Sequence, residues 1–247
     1  MEALLFNITL NSLYSIRLPF TWQSALTYPI LPPSAVIGLC ANALQRLKND
    51  KDPREYLQKL EEHIIWGGSR LLTPCVVKSY TTSAIVKWED AIGGKFTNAL
   101  TRQFAFSRNL ECAVILKNSE LTFDIQKALK NCPLTCGDSE SPITIENEPE
   151  ICQVKELSNT NCIETCFPLP FNQSIEIVDG KGQIFLMHET CLKKEKKFPL
   201  KSYIVPIDEK NKILSPTFVK IKLKGDEMKI FQIVEKGINL IASNNKD

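Results

Sequence analysis

The stretch Thr27 to Leu47 runs Thr-Tyr-Pro-Ile-Leu-Pro-Pro-Ser-Ala-Val-Ile-Gly-Leu-Cys-Ala-Asn-Ala-Leu-Gln-Arg-Leu, and it constrains the fold more than any other part of the chain. Pro32 and Pro33 are excluded from a helix interior, Ser34 offers a side-chain cap, and Val36, Ile37, Cys40, Leu44 and Leu47 recur at helical spacing. A helix is therefore predicted from Ser34. Between Ala35 and Leu44 only Asn42 is polar, so this helix is expected to be sandwiched between a sheet and something else. Gly38 costs about 1 kcal/mol relative to Ala inside a helix, which points to close approach of another backbone.

With 247 residues the chain is long enough for one large domain or two small ones. No apolar run reaches the roughly 18 residues of a membrane span, so a soluble, cytoplasmic protein without membrane contact is expected. Nine cysteines, an odd number, fit a secreted disulfide framework poorly. The net charge of +2 conceals an uneven distribution. Basic residues outnumber acidic ones 6 to 3 over residues 71 to 118, and acidic outnumber basic 9 to 3 over 119 to 166. A local basic excess can contact phosphate without the whole chain being basic.

Ala3 to Leu13 alternates as a first strand, and Ser12 to Thr21 is a loop carrying Arg17. A second helix starts at the cap Asp52 with Pro53 behind it, buries Leu57, Leu60 and Ile64, and is expected to end at Trp66-Gly67-Gly68-Ser69. Leu71 to Trp88 and Thr101 to Leu116 read as paired strands. The connection Glu89 to Leu100 contains Gly93-Gly94, is too long for a tight hairpin, and is expected to project as a flexible tongue. Ser119 to Lys130 is a third helix, and short strands follow at 143–145 and 151–157. This order predicts an α+β, ferredoxin-like domain over residues 1–158 with a thumb at about 87–101, followed by a smaller β-rich part over 159–247. The end, Met228 to Ala242, reads equally as strand then helix or otherwise.

Enzyme motifs are weak. His63 and His188 lack a neighbouring nucleophile and read as structural or surface residues, and no phosphate-cradling Gly loop, HExxH or two-metal carboxylate set is present. Cys132 with Cys136, and Cys162 with Cys166, have zinc-ligand spacing but no ribbon around them, so buried thiols or a disulfide are the simpler reading. No metal or cofactor is assigned, and a zinc-stabilised interaction protein stays as an alternative. The run Lys193, Lys194, Lys196 and Lys197 reads as solvated, with contact to RNA or a partner as the alternative. Holding single-stranded RNA requires cations for phosphates and flat groups for splayed bases. Lys78, Lys87, Trp88, Lys95, Phe96, Arg102, Gln103 and Arg108 supply both within about thirty residues.

Three stretches taken together carry a resemblance: Tyr28-Pro29-Ile30-Leu31-Pro32-Pro33-Ser34-Ala35-Val36-Ile37-Gly38-Leu39, Thr101-Arg102-Gln103, and Gly137-Asp138-Ser139-Glu140-Ser141. In this order they resemble the Cas-five family of CRISPR-associated proteins, most closely its archaeal type I-A branch. The resemblance covers roughly Met1 to Ile145. It implies an RRM-related (RAMP) ferredoxin-like domain with a hairpin thumb, gripping the 5′ handle of the CRISPR RNA within Cascade. It further implies a Cas-seven backbone subunit and the large Cascade subunit as partners. Arg102 and Gln103 carry over from the family motif, whereas Arg17, Lys78, Lys87, Trp88, Lys95, Phe96 and Arg108 are physical inferences. Ser34 is added because the free N–H groups at its helix start can receive a phosphate. One branch of the family cleaves RNA without metal, which needs proton carriers such as Tyr, Lys or His. No His is expected near the first helix or the tongue, so binding without cleavage is the favoured reading and a metal-independent endoribonuclease the alternative.

Overall fold

The computed structural model describes the chain apart from residues 22–23, 90–93, 138–139, 159–161, 193–199, 225–226 and 245–247, and within 82–100 it describes backbone only. Strands β1 (Glu2–Leu10) and β2 (Ser24–Ala25) precede helices α1 (Pro33–Lys48) and α2 (Pro53–His63). Next come β3 (Ile64–Leu71), β4 (Cys75–Glu89), β5 (Gly94–Ser107), β6 (Asn109–Leu116) and α3 (Ser119–Asn131). The described elements after α3 are all strands. They are β7 (Leu134–Thr135), β8 (Pro142–Thr144), β9 (Glu150–Leu157), β10 (Ile163–Thr165), β11 (Leu169–Pro170), β12 (Ile175–Gly180) and β13 (Gln183–His188). The chain closes with β14 (Leu200–Val205), β15 (Ile207–Lys210), β16 (Ile213–Pro216), β17 (Val219–Leu223), β18 (Met228–Ile233) and β19 (Ile238–Ser243). Strand predominates over helix, so the architecture is mostly β rather than an even α+β mixture.

The main sheet runs β19-β18-β9-β1-β6-β3, with β1 antiparallel to both β6 and β9. Strict alternation along β1 explains its central place. Leu4, Phe6, Ile8 and Leu10 face a core shared with the helices, while Ala3 and Leu5 face a second core with Trp66, Phe167 and Phe231. The expected sandwiching of α1 holds for its apolar positions: Val36, Ile37, Cys40, Ala43 and Leu44 are buried in the first core, while Asn42 and Arg46 are exposed. The covering layer opposite the sheet comes partly from late in the chain, because Met187, Tyr203, Val205, Ile207 and Leu214 join that same core. A third core, under Ile204, Ile221 and Ile230, holds the remaining late strands together.

Several sequence expectations are corrected. Helix α1 starts one residue earlier, with Pro32 as N-cap and no side-chain cap bond, so Ser34 lies within the first turn and caps nothing. A Cβ on Gly38 would meet Cys191 Sγ at 3.6 Å, a side chain rather than a backbone. Trp66 to Ser69 do not end α2 in a turn; they lie inside β3, where Gly68 is needed because a Cβ there would lie 2.7 Å from the Trp66 ring. Much of the supposed tongue connection is paired strand, since the β4–β5 ladder continues to the Glu89–Gly94 pair through an irregularity between Ile85 and Lys87. Met228 to Ala242 is neither helix nor loop but the β18–β19 hairpin. None of the nine cysteines is paired in a disulfide, and no group of three metal-ligating side chains occurs among the described residues.

The caps differ in a testable way. Asp52 accepts the Arg54 N–H at 2.9 Å and initiates α2 as predicted, whereas the Ser34 hydroxyl performs no such role. Asp52→Ala is expected to cost about 1 kcal/mol and Ser34→Ala less than about 0.5 kcal/mol, read as shifts in urea midpoint at constant slope.

Candidate nucleic-acid interface

Three sequence stretches far apart in the chain meet at one place, the segment running from Ser12 to Thr27. Arg102 Nε donates to Ser15 Oγ at 3.1 Å, and the Thr27 N–H donates to Gln103 Oε1 at 3.3 Å. From the other side, Ser141 Oγ donates to Leu13 O at 2.7 Å, and the Cys136 N–H donates to Ser141 O at 2.8 Å. Gly137 has φ +82° and packs so closely that a Cβ would lie 2.7 Å from Ser15 O and from Ile16 Cγ1. The first stretch closes the arrangement. The buried Tyr14 hydroxyl donates to Pro29 O, and the Tyr28 N–H donates to Ile16 O at 3.0 Å.

Held in this way, the segment presents Arg17 and Phe20. Arg17 is exposed and its guanidinium donates to Thr21 O and, from Nε, to Thr21 Oγ1 at 3.4 Å. Phe20 adopts φ 60° and leaves its ring 82% exposed. A cleft of about 580 Å³ separates Arg17 from α1, with Ser34, Asn42, Arg46 and His188 in its walls. The rim beyond α1 is tied down by Glu61, whose carboxylate accepts the N–H groups of Cys191 and Leu192 at 2.5 and 3.0 Å. The Cys191 thiol donates to Ser34 O at 2.9 Å, and burial foremost, then Glu61, pushes it up to about 12.

His188 therefore lies at the cleft beside the first helix, contrary to the expectation that no His comes near it. Sequence separation of about 150 residues hid this approach, since nothing local marks which strand covers α1. Tyr28 is close by but occupied: its hydroxyl donates to Leu186 O, and burial pushes it up to about 12.

The hairpin supplies the other candidate residues. Its period-two alternation sends Cys75, Val77, Ala105 and Ser107 toward the protein, and the opposite face carries Val76, Lys78, Tyr80, Arg102, Phe104 and Phe106. Lys78 is exposed and pairs in register with Phe104, and Tyr80 pairs with Arg102. Arg108, just past β5, is exposed as well. Gln103 lies on the inward face, where it serves Thr27. For Lys87, Trp88, Lys95 and Phe96 the ladder pairs Lys87 with Phe96 and Trp88 with Lys95, and their side chains lie outside the described residues. Past the contact of Ser24 and Ala25 with Thr101 and Arg102, the ribbon pairs with no third strand among the described residues.

The sequence reading named Arg17, Ser34, Arg102 and Gln103 without bringing them together; the fold does so around one segment and one cleft. It weighed Tyr80 only as a proton carrier for the nuclease alternative and Phe104 and Phe106 only as strand formers, although the alternation Lys78-x-Tyr80 against Arg102-x-Phe104-x-Phe106 was present as a signal of a shared face.

The family model for CRISPR-associated protein (Cas_Cas5) matches residues 8–148, more than half of the chain, and the three convergent stretches all begin and end within it. The chain belongs to this family of CRISPR-associated proteins. No curated protein matches significantly. Among solved structures, a CRISPR protein from Archaeoglobus fulgidus is 15% identical, with 99% of this chain and 100% of that chain covered at a TM-score of 0.65, which establishes a shared fold. A chain of a type III-B Cmr-beta complex bound to cognate target RNA and AMPPnP is 10% identical, covering 89% of this chain and 86% of that one at TM-score 0.48. A chain of a CRISPR RNA-guided surveillance complex is 12% identical, covering 88% and 91% at 0.44.

Gly137→Ala is expected to lose about 1–3 kcal/mol, because the left-handed backbone and the Ser15 carbonyl both oppose a side chain there. Gly237, with φ +64° and nothing within 4 Å of where a Cβ would lie, isolates the backbone part, at about 1 kcal/mol for Gly237→Ala. The gap between the two thermal shifts measures the Ser15 contact.

Alkaline pH tests the buried groups. Cys40 and Tyr28, each raised by burial to about 12, stay protonated when folded, while unfolded thiols and phenols ionise from about 9 and 10. The folded state then binds more protons, so stability is full below about pH 9 and falls between about 9 and 12, as urea midpoints across that range would record.

Proposed function

We propose that this chain is a non-catalytic CRISPR RNA-binding subunit of a type I surveillance complex, built on a ferredoxin-like RAMP domain. The order β9-β1-β6-β3, with α1 and α2 between β1 and β3 and α3 between β6 and β9, supports that reading of the domain. The RNA segment proposed is the 5′ handle, and the partners proposed are a Cas-seven backbone subunit and the large Cascade subunit, in the archaeal type I-A branch.

One observation carries the reading. Arg102 and Gln103, the dipeptide of the family motif, join a cationic hairpin to the segment that presents Arg17. Between Leu71 and Leu110 the only acidic residues are Glu89 and Asp90, against Lys78, Lys87, Lys95, Arg102 and Arg108. A ribbon of that charge follows a phosphate backbone and repels its own acidic surfaces.

Binding without cleavage is the proposal because 2′-OH attack needs two available proton carriers. Tyr28 is committed to Leu186 O and held protonated, which leaves His188 as the single histidine at the cleft. Labelled handle RNA incubated with the full chain without metal is expected to shift intact, and product of discrete length would instead establish the endoribonuclease. Affinity is expected to fall steeply with salt, and Arg17→Ala or Lys78→Ala to lower the slope of log K against log salt by about 0.7 for each phosphate contact removed. A slope unchanged in both variants would refute these positions as phosphate contacts.

A further inference from the structure

We infer that the outward face at the root of the β4–β5 hairpin is a stacking platform for the bases of single-stranded RNA, with Tyr80 and Phe106 as its open rings. The inference rests on the RNA-binding reading above and adds to it the part of the ligand that this face holds.

Large aromatic groups on a strand face normally turn inward, and here the inward side is already filled by Cys75, Val77 and Ala105. The outward side nevertheless carries three rings in a row. Tyr80 is 49% exposed and Phe106 46% exposed, and neither is covered by another part of the described chain to a degree that would account for an apolar ring at that position. Phe104 lies between them and holds Tyr80. Tyr80 meets its ring edge-on at a centroid distance of 5.8 Å and an interplanar angle of 73°, and the Arg102 guanidinium lies 4.8 Å from its centroid. Tyr80, held against Phe104 in this way, is preorganised, so little side-chain freedom is lost when a base settles on it.

Charge selects the occupant. Lys78 projects from the same face, opposite Phe104, and no Asp or Glu occurs in 75–81 or 101–108. An apolar protein partner needs no cation in the centre of its footprint, whereas a polynucleotide requires phosphate neutralisation beside each stacked base. Four residues of register separate the Tyr80–Arg102 pair from the Val76–Phe106 pair, roughly 13 Å at strand rise. That interval seats two or three splayed bases, as sheet-borne aromatics do elsewhere. A duplex keeps its bases stacked inside and has nothing to offer these rings.

The test uses the full chain with short oligoadenylate and oligouridylate strands and a duplex of matching length. Tyr80→Ala and Phe106→Ala are each expected to weaken single-strand binding about ten-fold with the salt slope unchanged, because a stacking contact and no phosphate contact is lost. Tyr80→Phe keeps the ring and is expected to bind as the parent does. Phe106→Trp supplies a reporter whose fluorescence should be quenched by single strands and not by duplex. Both alanine positions are exposed, and unchanged thermal unfolding would show that the fold is intact. Full affinity in both alanine variants and no quenching in Phe106→Trp would overturn the platform while leaving RNA binding in place. Full RNA affinity with loss of partner subunits on co-purification would overturn it in favour of a protein interface. Absence of RNA binding by the parent chain would overturn both readings together.

Discussion

A helix that is apolar over most of its circumference has to be buried over most of it, and α1, exposed at Asn42 and Arg46, imposes that requirement on the whole chain. The main sheet covers one side through β3 and β6, and α2 and α3 flank it. The remaining side is closed by β13 and β14, which begin about 135 residues after α1 ends. Met187 and Tyr203 therefore belong to the same core as Leu4 and Leu44. Leaving that side open would expose a large contiguous apolar face, so the late strands complete the core around the helices.

Closing the helix in this way also creates the cleft. Because β13 has to end over the first turns of α1, His188 and Cys191 arrive beside Ser34, and the rim is fixed by Glu61 accepting two successive backbone N–H groups. The facing wall is the Ser12–Thr27 segment, which has little core of its own. It is ordered instead by hydrogen bonds from residues that the sequence marks as motifs: Arg102, Gln103 and Ser141, with Gly137 admitting the approach of Ser15. Each such bond contributes only about 1 kcal/mol, yet leaving any of these half-buried backbone groups unpaired costs more than the bond supplies. The motif residues are thus chiefly positioning groups, and Arg17 and Phe20 are what they position.

The elements legible in the sequence were those whose signal is local. The proline pair with its apolar run, the Asp52–Pro53 start and the Ser119–Lys130 periodicity all specify helices within a few residues of where they lie. Errors arose where local chemistry has two meanings. Gly67-Gly68 reads as a turn, but a strand accepts it when a neighbouring indole needs the space, as Trp66 does. Gly93-Gly94 reads as the middle of a long loop, but the ladder runs to Gly94 itself. Ser34 reads as a cap because Ser caps well, but Pro32 already has the extended backbone that the N-cap position requires. The candidate site was legible as a set of residue types and not as a place, because the contacts that assemble it, such as Arg102 to Ser15, span 87 residues.

The dipeptide Arg102-Gln103 illustrates why composition could single out this hairpin without revealing which residues share a face. Adjacent strand residues point to opposite sides, so the two side chains cannot share one surface. Gln103 reaches Thr27 on the protein side while Arg102 reaches Ser15 from the outer side, and the segment is clasped from both. That clasp fixes register: a slip of β5 by one residue would turn Arg102, Phe104 and Phe106 inward and bring Gln103 and Ala105 to the surface. The parallel contact of Ser24 and Ala25 with Thr101 and Arg102 and the bridge between Tyr14 and Ala105 oppose such a slip with backbone hydrogen bonds. The outward placement of Arg102, Phe104 and Phe106 is thereby secured by contacts made on the protein side.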